Sequence, residues 1–225
     1  TEVAMAHDLI REAAGSEVSA SLRRALHIRF ADEIEGDAGD DVGLLRQALE
    51  HRAAAGLPST DLALRMAASP QRRLLGRDGL AALAAVADAL TPGAPEQLTL
   101  DEHLGEIAAS IGEQDVALGH WSRVAAHART SSQLRRALLE AGWAAYHRRD
   151  DATAGTNVSR ARAAGLESTA PETDERWLED LVRLETLDAN RALWLQHRTS
   201  VGAAAAAEAL EMARRLVERA GDVAR

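Results

Sequence analysis

Apolar residues recur three and four positions apart along nearly the whole chain, and no stretch alternates with the period of two that a half-buried strand needs. Val3, Ala6, Leu9, Ile10 and Ala13 open the pattern and Gly15 stops it. Ser16 is placed to cap a second helix, whose apolar stripe is Val18, Leu22, Ala25, Leu26, Phe30 and Ile34. The acidic, glycine-containing residues 32–41 read as a loop. They lack the D-x-D-x-D-G register and closing glutamate of an EF-hand, so a solvated loop is expected there in place of a calcium site. Asp41 then caps a helix to Ala55 with Leu44, Leu45, Ala48 and Leu49 inward. Gly56-Leu57-Pro58-Ser59 stops it and restarts the chain into a short helix from Thr60 to Ala68. After Pro70, Gly76 and Gly79, residues 80–90 form an alanine- and leucine-rich helix expected to be deeply buried. Thr91-Pro92-Gly93-Ala94-Pro95 is the strongest break, and a subdomain boundary is expected there, between helical hairpins at 1–90 and further hairpins at 96–225. Beyond it the period predicts helices near 96–111, 114–128, 131–148, 150–164, 172–197 and 200–221. The expected fold class is all-α, built from antiparallel helix pairs.

Composition sharpens this picture. The hydrophobic fraction is 46% but only 3% is aromatic, and alanine dominates the apolar set, which suits close helix-on-helix packing better than a sheet. The net charge of −9 disfavours direct nucleic-acid binding, since phosphate contacts need a basic face. Arg135, Arg136, Arg148, Arg149, Arg160 and Arg162 are the candidates for a local basic patch, with solvated helix surface the favoured reading. There is no cysteine, which removes thiol nucleophiles, thiolate-bound zinc and disulfides. There is also no lysine, so neither a Walker A loop nor a Schiff-base amine is available, because arginine stays protonated. Arginine in place of lysine, with abundant alanine and glycine, has the texture of a high-GC genome such as an actinobacterium's. No apolar run has the length of a membrane span and no signal peptide is legible, so a cytoplasmic chain is expected. A chain opening on Thr1 reads as part of a longer polypeptide.

Two successive hairpins carry a spaced set of small and bulky residues. The first has Leu104-Gly105, Ala108, Gly112, Ala117, Trp121 and Val124; the second, 37 residues on, has Gly142, Ala145, Ala154, Val158 and Ala161, with Arg149 where the turn glycine stood. This set resembles the tetratricopeptide repeat, although the repeat-end proline is missing and the family period is 34. The resemblance covers about 70 residues. It implies a stack of hairpins in one continuous α-solenoid, with small residues where helices cross and a bulky one filling the gap to the next hairpin. The degenerate array also looks like the sensor segment of actinobacterial LuxR- or MalT-type regulators, which implies a protein-binding role in transcription regulation.

Chemistry-bearing constellations are sparse. His7, His27, His51, His103, His120, His127, His147 and His197 include no H-E-x-x-H pair; His120 and His127 share a helix face without an evident third ligand, so no metal and no cofactor are expected. Carboxylates such as Glu172, Asp174 and Glu175 suit a helix start. Trp121, Trp177 and Trp194 read as core. Arg136, Glu140, Trp143 and His147 fall on one helix face, joined by Tyr146, and in the repeat register that face is concave. These five are the candidate ligand-binding residues, for an anionic or peptide-like ligand, with packing against a neighbouring hairpin as the alternative for the aromatics. The leading expectation is a non-enzymatic binding module of a larger regulator, taking a peptide, a protein partner or a small effector. A scaffold that packs against other domains of its own chain is the alternative, and a small all-α enzyme is disfavoured.

Overall fold

The computed structural model describes residues 19–166 and 175–223, with side chains at 19–164 and 179–218. The helix expected at 3–13, the Ser16 cap, the Glu172, Asp174 and Glu175 carboxylates and the Trp177 side chain lie outside the described residues. Every regular element among the described residues is helical. The chain divides into two compact units, 1–86 and 87–225.

In the first unit, α1 (Ala20–Ala38) and α2 (Val42–Ala55) form a hairpin, followed by α3 (Thr60–Ala68), a 3-10 turn (Arg72–Leu74) and α4 (Gly76–Asp88), which reaches the division. Ser19 caps α1, its hydroxyl accepting from the Leu22 amide at 3.2 Å. The acidic run 32–41 is not the loop its composition suggested. Helix α1 continues through it to Ala38, because Ala31, Ile34 and Ala38 keep helical spacing toward α2 while Asp32, Glu33 and Asp37 stay in water. Glu35 leaves that solvent face to pair with Arg52 at 2.5 Å and Arg65 at 3.0 Å. Only Gly39 to Asp41 turn the chain, and Asp41 caps α2 through the amides of Gly43 and Leu44 at 2.8 and 3.1 Å. The stripe Leu22, Leu26 and Phe30 is 53, 40 and 46% exposed, whereas Ala31 and Ala38 are buried.

The second unit holds α5 (Pro95–Ser110), α6 (Gln114–His127), α7 (Ser131–His147), α8 (Asp151–Leu166), α9 (Glu175–Asn190), a π-helical turn (Arg191–Leu195) and α10 (Thr199–Val223). Sequential helices pack as antiparallel pairs. The α5–α6 and α7–α8 hairpins repeat their turns bond for bond at the 37-residue offset. Gly112 donates to Ala109 and Glu113 to Ala108, at 3.2 and 2.9 Å; Arg149 donates to Tyr146 and Asp150 to Ala145, at 2.8 and 3.0 Å. Arg149 holds φ at 60°, the left-handed region that Gly112 occupies at 84°. Arginine therefore carries strain that glycine would not, and Arg149→Gly is expected to stabilise the fold by about 0.5–1 kcal/mol, the left-handed penalty less the extra chain entropy of glycine. An unchanged or lowered melting temperature for Arg149→Gly would contradict this.

Side-chain links show that α5, α7 and α9 run in the same direction. Gln133 and Arg136 on α7 reach Glu102 and Glu106 on α5 at 2.7 Å each. Arg135 and Glu140 on α7 meet Asp180 and Arg183 on α9 at 3.0 and 2.6 Å. Partners advance together along both helices, as parallel helices require. The core between α7, α8 and α9 is Leu138, Leu139, Val158, Ala161, Leu184 and Leu187. Glycine admits the close crossings: a Cβ on Gly105 would lie 2.6 Å from the Trp121 ring, and one on Gly142 would lie 2.9 Å from Leu187. Trp121 is 2% exposed, in the core as its place in the repeat implied. Trp194, expected in the core, is 68% exposed. The π-helical turn shifts the register after Asn190, so Arg191 and Ala192 go inward and the indole is turned out.

Candidate functional site

Helix α7 begins with a cap built from both sides. The Thr130 hydroxyl accepts from the Gln133 backbone N–H at 3.1 Å, and the Gln133 side-chain oxygen Oε1 accepts from the Arg129 backbone N–H at 2.9 Å. This fixes the first turn of α7 beside the middle of α5 and the start of the described part of α9. A cleft of about 670 Å³ opens there, lined by Glu102, Thr130, Ser132, Gln133, Arg136, Glu179, Asp180 and Arg183. Its lining is mainly polar. Each wall is a different helix, and the buried Arg135–Asp180 pair ties two walls together, with Arg135 3% exposed.

The cleft arginines are held in place. Arg136 donates to Glu106 at 2.7 Å, and Arg183 pairs with Glu140 at 2.6 Å. Both guanidinium groups remain more than a third exposed, so they keep donors toward the cleft. A multiply charged anion would have to break these pairs, whereas a ligand with its own carbonyls and cations would not.

The five candidate residues divide between two places. Arg136 lines the cleft and Glu140 orients Arg183 into its wall. Trp143, Tyr146 and His147 form a separate aromatic cluster: Tyr146 stands edge-on to Trp143 at 5.7 Å and His147 stacks on it at 6.0 Å. Trp143 and Tyr146 pack on the α7–α8–α9 core, and the Trp143 Nε1 is enclosed with no acceptor. Trp143 and Tyr146 are half-buried there, and His147 is exposed. The residues missed were those of neighbouring helices, Glu102, Glu179, Asp180 and Arg183. Their only trace in the sequence is a charged face, which does not say which helix it will meet.

Of the candidate basic patch, Arg135, Arg136, Arg148 and Arg162 are ion-paired. Arg148 meets Asp115 at 2.6 Å, and Arg162 meets Glu185 and Asp188 at 2.8 and 3.0 Å. Burial works to lower the pKa of Arg162, but hydrogen bonds and charge from those two carboxylates raise it above the ordinary arginine value. A second polar centre lies inside the α5–α6 hairpin. Asp101 is fully buried; its Oδ1 accepts from Arg123 at 2.6 Å and lies 2.8 Å from His120 Nδ1, while Oδ2 has no partner. Arg123 also reaches Asp88 at 2.8 Å, and the two carboxylates raise its pKa against the lowering effect of burial. His120 is thereby committed to a carboxylate, and His127 lies against Gly93. Among the described residues no three histidine or carboxylate groups are placed to hold a metal. A scan against protein-family models and searches of curated proteins and of solved structures find no match to this chain.

Proposed function

We propose that the chain is a non-enzymatic helical-repeat binding module of tetratricopeptide type, part of a larger regulator, and that the cleft between α5, α7 and α9 takes an extended peptide. The observation that carries this reading is the cleft itself: three parallel helices supply its walls, and its arginines are oriented by ion pairs from the neighbouring helix. The hairpin turns repeated at 37 residues support the stacked-repeat reading, in which parallel first helices of successive hairpins form the inner surface. The lining offers carboxylates at Glu102, Glu179 and Asp180 and fixed guanidinium donors at Arg136 and Arg183. Main-chain carbonyls of a peptide suit those donors, and a basic peptide side chain suits Glu179.

A random peptide library displayed on phage and selected against the whole chain tests this. Enriched sequences should carry a basic residue, and their binding should fall at least tenfold with Arg136→Ala combined with Arg183→Ala while the circular dichroism spectrum is kept. Trp143→Phe should leave binding unchanged, because the indole belongs to the packing cluster. Failure to enrich any sequence, or binding indifferent to the double variant, would remove the cleft from consideration.

A further inference from the structure

The α1–α2 hairpin brings two imidazoles head to head. His27 lies one turn before Ala31, on the spacing that Ala31, Ile34 and Ala38 keep toward α2, and His51 stands between the buried Ala48 and Ala55. Their Nδ1 atoms are 2.8 Å apart and their ring centres 5.0 Å apart. Each nitrogen therefore lies close to the line joining the rings, and the two nitrogens are aimed at each other with one proton shared between them. Both rings are half-buried, and among the described residues neither has another hydrogen-bond or ion-pair partner. Phe30 lies against His51, with ring centres 5.5 Å apart.

We infer that His27 and His51 form a two-coordinate site for a monovalent metal ion with a filled d shell, copper(I) or its analogue silver(I). The number of ligands selects the ion. Zinc(II) takes three or four protein groups, and other divalent metals also fill more than two positions. Among the described residues no third histidine or carboxylate stands with this pair. A filled-shell monovalent ion is satisfied by two neutral imidazoles on opposite sides of it, which is the direction these two nitrogens already take. At about 2 Å per metal–nitrogen bond, a linear ion needs the nitrogens about 4 Å apart, so the rings draw back along their common line by about 1.2 Å. Small rotations of two half-buried side chains supply that movement. The Phe30 ring closes one side of His51 to a further ligand, and apolar surroundings favour the ion of lower charge. The proton count closes as well. In the free pair one ring carries its proton on Nδ1 and the other on Nε2. Binding passes the first proton through water to Nε2 of its own ring, and both Nδ1 lone pairs then bind the ion. No proton is released and no electron is transferred. The bound ion ties α1 to α2 across 24 residues of sequence.

Calorimetric titration of the whole chain with silver nitrate in chloride-free buffer tests this, and the absence of cysteine means that no thiolate competes for the ion. The wild type should bind one silver ion per chain at these residues. His51→Gln leaves His27 a side-chain amide to hydrogen-bond, so a purely structural link survives it while the metal site does not. Silver affinity should fall by at least the roughly 100-fold that even a supporting residue of a metal site can cost. His27→Gln should do the same, and His197→Gln should change nothing. Copper(I), added without oxygen and in competition with a chromogenic copper(I) chelator, should follow the same order. Two measurements on the wild type stand apart from the variants. In protein labelled with nitrogen-15 at histidine, silver should shift the Nδ1 resonances of two residues and leave both with their proton on Nε2. X-ray absorption of the copper(I)-loaded chain should show two nitrogen ligands in a line. The inference is overturned by a wild type that binds no silver, or by silver affinity kept in His51→Gln. It is overturned equally by bound copper with three or more ligands or with methionine sulfur, or by zinc(II) held at the same two histidines.

Discussion

Asp101→Ala is expected to lower the stability of the second unit by about 3 kcal/mol, the lower end of the range for breaking a buried ion pair from one side. The carboxylate is fully buried, and two partners depend on its Oδ1. Removing it takes from His120, itself only 6% exposed, its carboxylate and leaves its Nδ1 only Arg123 Nη2 at 2.7 Å, and it takes from Arg123 the inner of its two carboxylates. The loss stays at the lower end because the Arg123 side chain is 39% exposed and water can solvate its outer nitrogens. At roughly 2–4 °C per kcal/mol for a chain of this size, the melting temperature should fall by about 10 °C. Asp101→Asn keeps the volume and an acceptor oxygen and should cost less than half as much. If both variants melt within a degree or two of the wild type, the network is not the anchor of the α5–α6 hairpin.

Gly105→Leu is expected to cost at least about 2–3 kcal/mol, at the upper end of overpacking penalties. Even a Cβ at this position falls 2.6 Å from the Trp121 ring, which is buried and has no open side to retreat to. Leucine is a better helix former than glycine by nearly 1 kcal/mol, so the measured loss is what remains after that gain. Gly119→Ala on α6 supplies the opposite sign. Its Cβ would meet nothing within 4 Å, and the position is exposed, so the substitution should stabilise by roughly 0.5–1 kcal/mol. Thermal unfolding of the two variants side by side separates the effect of the crossing from that of helix propensity. If Gly105→Leu melts no lower than the wild type, the α5–α6 crossing is not as close as the packing of Trp121 on Gly105 requires.

Helix existence and type were legible from the chain because the apolar period of three to four is a local property. The stops at Gly56, Gly112 and residues 91–95 act through backbone conformations that neighbours do not alter. The close helix crossings were legible for a related reason. Close crossings demand small residues at fixed offsets, so Gly105 and Gly142 announce them, and Trp121 fills the space that such a crossing leaves. Even the substitution of Arg149 for a turn glycine was readable, because the surrounding positions fixed what conformation the residue would be forced to take.

Acidic residues 32–41 mark where local reading stopped. Their composition suggests a loop, but three apolar residues facing α2 were enough to hold them in a helix, and the value of those contacts depends on a partner distant in the sequence. Trp194 is the converse: its leucine-rich surroundings suggest a core, but the π-helical turn rotates it into solvent. Candidate site residues follow the same division. Helical spacing put Arg136 and Glu140 on one face with Trp143 and His147, and that shared face is a property of α7 alone. Which of them meets a cleft and which meets a core depends on α5 and α9, whose charged partners lie 30 residues before and 43 to 45 after along the chain. Sequence by itself determined the helices, their stops and the small-residue crossings, because those follow from backbone stereochemistry and side-chain volume within a few turns. Only the tertiary structure decided which charges are neutralised, which aromatics are enclosed and where a cleft opens, because those depend on distances between helices that the local period does not encode.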